Sequence, residues 1–287
     1  MTIRSRAEGM LLLCTLIWGG TFIATKGGLS DISPILLVAI RYGLASLFII
    51  PFVYKFLRGL SISTLRYGVV LGTLMVGGLV TQTIGLQYTT ASKSSFITAL
   101  CVILTPLFQI WIEHRAPKAG NWVGIAVVTL GLYFLTSPSG GSFNQGDAWT
   151  LLCATCFALY IVYLDLFSKK SPPIQLTAIQ MITAATLAGF GTLFEESFWR
   201  PTSHLVGTIA YLAFPATLFT LWAHTRYQRF STPTRAGVIF TMEPVFASLA
   251  AYVLAGEQLH WVGWIGGALI LTGLLVSELS GNKDSSG

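Results

Sequence analysis

Long stretches without a single Asp, Glu, Lys or Arg dominate this sequence. Eight of them occupy 9–25, 67–92, 94–112, 119–146, 148–164, 171–194, 201–225 and 258–277, each at least 17 residues long. Two further apolar segments, 34–54 and 233–256, are interrupted by Arg41 and Glu243, with Arg235 at the edge of the second. At helical rise, about 20 residues cross a bilayer core. Soluble domains carry about 25% charged residues; here 10% are charged and 53% hydrophobic, too little polar surface to face water all round. Lipid must cover part of it, and the expectation is an all-α membrane protein of ten transmembrane helices.

Arg4 and Arg6 ahead of the first apolar run resemble a secretory signal, but no small-x-small cleavage site follows and the run ends at Ala24-Thr25-Lys26. The segment is therefore read as helix one. With the N-terminus in the cytoplasm, 13 of the 17 Lys and Arg residues fall inside, Lys26, Lys93 and Arg200 fall outside, and Arg41 lies in the membrane. This bias puts both termini in the cytoplasm of a bacterial inner membrane. The loops are short, and the longest, Pro138 to Asp147, reads as a plain periplasmic linker over 139–147 between units 1–138 and 148–287, the latter ending in a short polar tail. No extramembrane domain is expected to house separate chemistry.

The two units resemble each other. A shift of 139 residues brings Cys14 onto Cys153, Trp18 onto Phe157, Pro34 onto Pro173, Ala39-Ile40 onto Ala178-Ile179 and Tyr88 onto Tyr227; one residue of slip brings Pro106 onto Pro244. Gly120-x-x-x-Gly124 matches Gly263-x-x-x-Gly267 at a shift of 143. Five helices per unit is an odd number, so the second unit enters the membrane in the opposite sense. Such an inverted repeat is the architecture of many secondary transporters, with cargo bound between the halves.

Specific residues carry a family resemblance: Trp18-Gly-Gly-Thr-Phe22-Ile-Ala-Thr-Lys26 in helix one, Arg41-Tyr-Gly-Leu-Ala45 in helix two, and Glu243-Pro244-Val-Phe followed by Gly256-Glu257 in helix nine. Together these resemble the drug/metabolite transporter superfamily, in its EamA-type branch of ten-helix carriers, over essentially the whole chain. The resemblance implies export of amino acids or related small metabolites by alternating access, through a central cavity lined by helices one, three, four, six, eight and nine.

The intramembrane polar residues are the candidate sites. Glu243 lies near mid-bilayer, where even lenient scales charge a carboxylate about 2.5–3.5 kcal/mol. Either it satisfies the Phe240 carbonyl that Pro244 frees, or it takes up and releases a proton during transport. Arg41 needs an acceptor too: a backbone carbonyl or lipid headgroup, a cargo carboxylate, or Glu243 itself in one access state. Trp18, Phe22 and Thr25 share a face at i, i+4, i+7 spacing, so Trp18 and Phe22 join Tyr160 and Trp222 as candidate aromatic cavity residues. Gln82 is the best polar cargo contact; Gln109 and Gln180 are expected to form interhelical hydrogen bonds. Pro106 and Pro244 are candidate kinks. His114, His204, His224 and His260 read as solvated residues near helix ends. The Gly-rich helices five and ten suit close packing or a homodimer.

The leading function is thus a secondary exporter of small amphipathic metabolites. A nucleotide-sugar or phosphate-ester antiporter would want several deep cations, whereas Arg41 is alone; a drug efflux carrier is the other transport alternative. An intramembrane enzyme would need an acidic dyad, an HExxH-like metal site or a Ser-His pair, none of which appears, and the repeat favours alternation over an open channel. No GxxxxGK[ST] phosphate loop is present to drive ATP-dependent pumping. Cys153-Ala-Thr-Cys156 lacks the second pair or histidine that a metal site requires, so neither metal nor cofactor is expected. The +6 charge is spread over short loops, which leaves lipid and a small-molecule cargo as partners and argues against nucleic acid.

Overall fold

The computed structural model describes residues 3–56, 58–114, 116–117, 119–136, 144–255 and 261–282. Linker residues 139–143 and the pair Gly256-Glu257 lie outside the described residues. Among the described residues the chain is helical almost throughout, and the strand-like pairing is an isolated bridge between Ile32 and Trp199. That economy follows from composition: a helix pairs its own N–H and C=O groups, the one local solution where water is absent.

Along the chain run α1 (Ile3–Gly28, interrupted at Gly20), α2 (Pro34–Val53), α3 (Ile62–Tyr88) and α4 (Ala91–Ala99 continuing as Cys101–Glu113). There follow α5 (Ala119–Thr136), α6 (Gln145–Ser168), α7 (Pro173–Gly191), α8 (Ser203–Phe230), α9 (Pro233–Phe240 continuing as Met242–Ala255) and α10 (Trp261–Asn282). Among the described residues, seven of these (α1–α4 and α6–α8) are long and apolar enough to cross a membrane. The apolar runs within α5 and α10 are shorter, Ala119–Phe134 and Trp264–Val276. Polar residues mark the starts: the side chains of Ser61, Thr90, Asn144, Thr202 and Thr232 each accept a backbone N–H of the helix they cap. These caps satisfy donors that a helix cannot satisfy itself.

Packing pairs the first five helices with the second five. Helix α3 packs on α6 and α7, as α8 packs on α1 and α2; α4 lies on α6, as α9 lies on α1; α2·α7, α4·α9 and α5·α10 complete the set. Replacing each helix by the one five places on or back returns the same pairs. Glycines permit close approach at several of these contacts. A Cβ at Gly85 would sit 2.9 Å from the Gly146 carbonyl, and one at Gly146 would sit 2.6 Å from the Gly85 carbonyl. Gly131 and Gly273 do the same for α5 and α10, each facing backbone of the other helix at 2.8 Å, whereas Gly267 has nothing within 4 Å.

The loops gather at two ends of the bundle. At one, Thr64 and Ser171 hydroxyls meet at 3.0 Å, Gln175 donates to the Phe56 carbonyl, and Ser231 reaches Glu8. At the other, Thr202 donates to Asp31, Lys26 donates to the Thr89 carbonyl and Lys93 pairs with Asp147. The first end carries Arg4, Arg6, Lys55, Arg58, Arg66, Lys169, Lys170, Arg226, Arg229 and Arg235; the second has Lys26, Lys93 and Arg200.

A test of the packing uses Gly72, where a Cβ would lie 2.7 Å from the Gln180 carbonyl on α7. Gly72→Ala is expected to destabilise the detergent-solubilised protein by about 1–3 kcal/mol, the usual cost of overpacking. Gly43→Ala, with nothing within 4 Å of its Cβ, is expected to leave the thermal midpoint unchanged or slightly higher.

Candidate functional site

A cavity of about 80 Å3 lies where α1, α2, α3, α4, α6, α8 and α9 converge. Its geometry starts from a defect in α8. Pro215 has no N–H to continue the ladder, and the segment Phe214–Phe219 widens into a π-helical turn. The Thr220 N–H then reaches Pro215 O and Thr217 O, which leaves the Ala216 carbonyl without its α-helical donor. Side chains supply the missing bonds: Arg41 Nη2 at 2.9 Å, the Trp18 indole N–H at 3.2 Å and the Thr220 hydroxyl at 2.9 Å all donate to it. Arg41 Nε donates as well to the Thr217 hydroxyl. The guanidinium of Arg41, a residue 6% exposed, is thus held in the wall of the cavity by dipoles rather than by a counter-charge.

Aromatic rings form one side. The Trp18 ring meets His224 and Phe240 edge to face at 5.5 and 5.4 Å, and His224 meets Tyr160 at 5.5 Å and Phe240 at 4.9 Å. Behind them the Tyr160 hydroxyl donates to Gln180 Oε1 at 2.9 Å, and Gln180 Nε2 donates to the Thr225 hydroxyl at 2.7 Å, joining α6, α7 and α8. Gln82 Nε2 donates to the Thr98 hydroxyl at 3.2 Å. Gln109 accepts from Thr234 of α9 and donates to Glu113.

Of the residues singled out in the sequence, Trp18, Arg41, Gln82, Tyr160 and Glu243 come together around this one cavity. Arg41 and Glu243 are not joined in an ion pair here: Arg41 bonds to Ala216 and Thr217, and Glu243 has no ion-pair partner among the described residues. Glu243 makes no bond to the Phe240 carbonyl either. Phe22 does not line the cavity. The break at Gly20 ends the common face with Trp18, so Thr21 points inward and Phe22 is buried elsewhere at 2% exposure. The break accommodates Tyr211, whose hydroxyl donates to the Ile17 carbonyl and would lie 2.5 Å from a Cβ at Gly20.

Trp222 also lies outside the cavity, in an apolar groove with Phe48, Phe52 and Phe214 between α2, α7 and α8. Two residues along a helix turn through about 200°, so an inward His224 forces Trp222 outward. His224, expected at a solvated helix end, is instead 2% exposed in the cavity wall. The polar stripe Thr217, Thr220, His224 and Gln228, spaced 3, 4 and 4 residues apart, was the signal for it. The kinks also fall differently. α9 breaks at Thr241, three residues ahead of Pro244 as its clash with Phe240 requires, but α4 breaks at Leu100 and runs unbroken through Pro106. Pro106 is 16 residues past its cap Thr90, and Pro244 is 12 past Thr232, so these prolines are one helical turn out of step.

Each end of the bundle is tied by an ion pair between the first and second five helices. Lys93 Nζ of α4 lies 2.5 Å from Asp147 of α6, and the Thr89 hydroxyl donates to the same carboxylate at 3.0 Å. At the opposite end Arg235 of α9 lies 3.4 Å from Glu8 of α1, and the Ser231 hydroxyl donates to that carboxylate at 3.4 Å. The two clusters share a plan, although Glu8 also pairs with Arg4 of its own helix at 3.1 Å. Glu8 and Asp147 are 139 residues apart, and Thr89-Thr90-x-x-Lys93 and Ser231-Thr232-x-x-Arg235 are 142 apart, with Thr90 and Thr232 each capping its helix at the basic residue's N–H.

An apolar helical bundle around a cavity lined by aromatic residues and a few polar and charged ones has the build of a multi-pass membrane transporter. The chain is a member of the EamA-like transporter family, whose model matches it twice, over residues 5–137 and 144–279. It is 30% identical to an uncharacterized transporter of Archaeoglobus fulgidus over 96% of this chain and 87% of that one. It is 24% identical to the inner membrane transporter YedA of Escherichia coli K12 over 94% of this chain and 90% of YedA. One chain of known crystal structure, 21% identical, superposes with a TM-score of 0.81 over 99% of this chain and all of that one; at this identity the likeness speaks for the fold.

The polar chain behind the cavity yields a stability test. Gln180→Leu leaves the buried Tyr160 hydroxyl without its acceptor and is expected to cost about 1–3 kcal/mol. Adding Tyr160→Phe should recover most of that loss in thermal unfolding; an additive double variant would show that the bond is not what stabilises this wall.

Proposed function

We propose that this chain is a secondary transporter of the cell membrane that exports small metabolites, amino acids and related amphipathic compounds above all, by alternating access. In this reading ten helices cross the bilayer as two inverted five-helix repeats, α1–α5 and α6–α10, with both termini in the cytoplasm. Among the described residues, ten Lys and Arg at the N-terminal end of the bundle against three at the other support that orientation under the positive-inside rule. The paired packing of α1–α5 with α6–α10 supports the repeat. A homodimer through α5 and α10 would use the Gly267 side of α10, because Gly131 and Gly273 are occupied within the chain.

The observation that carries the mechanism is the pair of matching latches. Opening one end requires breaking Glu8–Arg235, and opening the other requires breaking Lys93–Asp147; each latch spans the two repeats. A carrier needs one barrier on each side of its site, with one open at a time, and these contacts are built to serve as those barriers. Arg41 and Glu243, of opposite charge on one cavity, suit a zwitterion: the guanidinium N–H groups left over by Ala216 and Thr217 meet a carboxylate, and Glu243 meets an ammonium. A phosphate ester would find a single deep cation, which disfavours that cargo.

Two measurements test this. In a variant whose only cysteine is Cys101, a lining residue, Glu8→Gln is expected to speed labelling by an impermeant thiol reagent from the cytoplasmic side, and Asp147→Asn from the opposite side. Losing about 1–2 kcal/mol of latch corresponds to roughly 5–30-fold in the ratio of the two states; the same side responding to both variants would rule out alternation. In proteoliposomes, uptake across an amino-acid and metabolite panel is expected to fall at least about tenfold in both Arg41→Gln and Glu243→Gln. Imposing a pH gradient separates a proton-coupled carrier from a facilitator, and an absence of flux for every compound would overturn the transporter reading.

A further inference from the structure

The hydrogen bonds around His224 determine which of its ring nitrogens carries a proton. Gln228 Nε2 donates to the Ile161 carbonyl at 2.5 Å, which fixes the amide so that its Oε1 faces the imidazole. Oε1 is an acceptor, so the His224 Nε2 that bonds to it carries hydrogen. No carboxylate among the described residues touches the ring, and an uncompensated buried charge is the costlier alternative, so the ring is neutral and Nδ1 presents a lone pair. That nitrogen is buried and has no hydrogen-bond partner.

The groups around it sharpen the meaning. Apart from the spare N–H groups of Arg41, the side-chain donors nearest the ring are already engaged: the Trp18 indole and the Thr220 hydroxyl with Ala216 O, the Thr21 hydroxyl with Trp18 O, and the Tyr160 hydroxyl with Gln180. The acceptor on the ring is not. Nδ1 of His224 is open, its ring in edge-to-face contact with Trp18 and Phe240, and the Glu243 carboxyl group lines the same cavity. An open acceptor beside the ring is satisfied by a ligand that brings a donor to it. Aromatic faces add attraction for a positive charge.

We infer that His224 is a specificity-determining residue of the cavity, its Nδ1 accepting an N–H from the cargo's amino group, so that primary amines are selected over quaternary N-trimethyl counterparts of the same charge. The inference rests on the transporter reading above. Glu243 answers the charge of an ammonium group, which N-methylation keeps; His224 answers its hydrogen, which only complete N-methylation removes. An unmet buried acceptor is the part of a site that discriminates most strongly against a ligand lacking the matching donor.

The test is uptake into proteoliposomes of the best-transported member of the twenty amino acids, against its N,N,N-trimethyl counterpart. Wild type is expected to favour the primary amine at least about tenfold in kcat/KM. His224→Gln, whose amide replaces Nε2 but not Nδ1, is expected to lower uptake of the amine about tenfold and leave the trimethyl compound unchanged, collapsing the ratio. His224→Asn, whose amide occupies the Nδ1 position, is expected to keep the preference. Equal handling of the two compounds by wild type overturns the inference without any variant, as does His224→Gln lowering both by one factor. If none of the twenty amino acids moves, the amino-acid reading fails and this inference with it.

Discussion

One backbone carbonyl, that of Ala216, organises the centre of this protein. In a bilayer every peptide group has to find its partner within the protein, and the π-helical turn after Pro215 leaves this one short. Donors come from Trp18 on α1, Arg41 on α2 and Thr220 on α8. Three helices from both parts of the chain therefore meet at a point where none of them can close up, and the space they leave is the cavity. The same bond explains how a guanidinium is tolerated deep in an apolar bundle. Peptide and hydroxyl dipoles replace its hydration, so the cost of burial is met without a carboxylate, and Glu243 stays uncommitted.

The outline of the fold is legible because it depends on averages over many residues. Charge-free stretches find the helices, and the asymmetry of Lys and Arg between the two ends is already present in the loops. Trp18, Arg41, Gln82, Tyr160 and Glu243 are legible for a related reason: a polar or amphipathic residue inside an apolar helix needs a partner, and a shared cavity supplies one. What escapes is local geometry that shifts the register. The reading of Trp18 and Phe22 as neighbours assumes an unbroken helix, and Gly20 breaks it. Trp222 and His224 exchange roles because a π-helical turn upstream rotates the end of α8, and one proline in an apolar run does not announce a wider turn.

The ion pairs at the two ends were hidden for a different reason. Glu8 and Asp147 keep the 139-residue spacing of the Cys14 and Cys153 match, whereas Lys93 and Arg235 are 142 apart. Loops of unequal length between the members of each pair conceal the correspondence from any single offset. The proline match suffers the opposite fate. Pro106 and Pro244 coincide at nearly the common shift, yet counted from their caps they occupy different turns of α4 and α9. Register measured from a structural landmark separates the true correspondence from the accidental one.

Bolts of the same general kind fasten the two ends of this bundle. Glu8 with Arg235 and Asp147 with Lys93 each join an acid, a base and a hydroxyl across the two sets of five helices, with Arg4 as a second base on Glu8. For a carrier of the proposed kind, the sense of net flow is written outside the protein, in the gradients of cargo or coupled ion across the membrane.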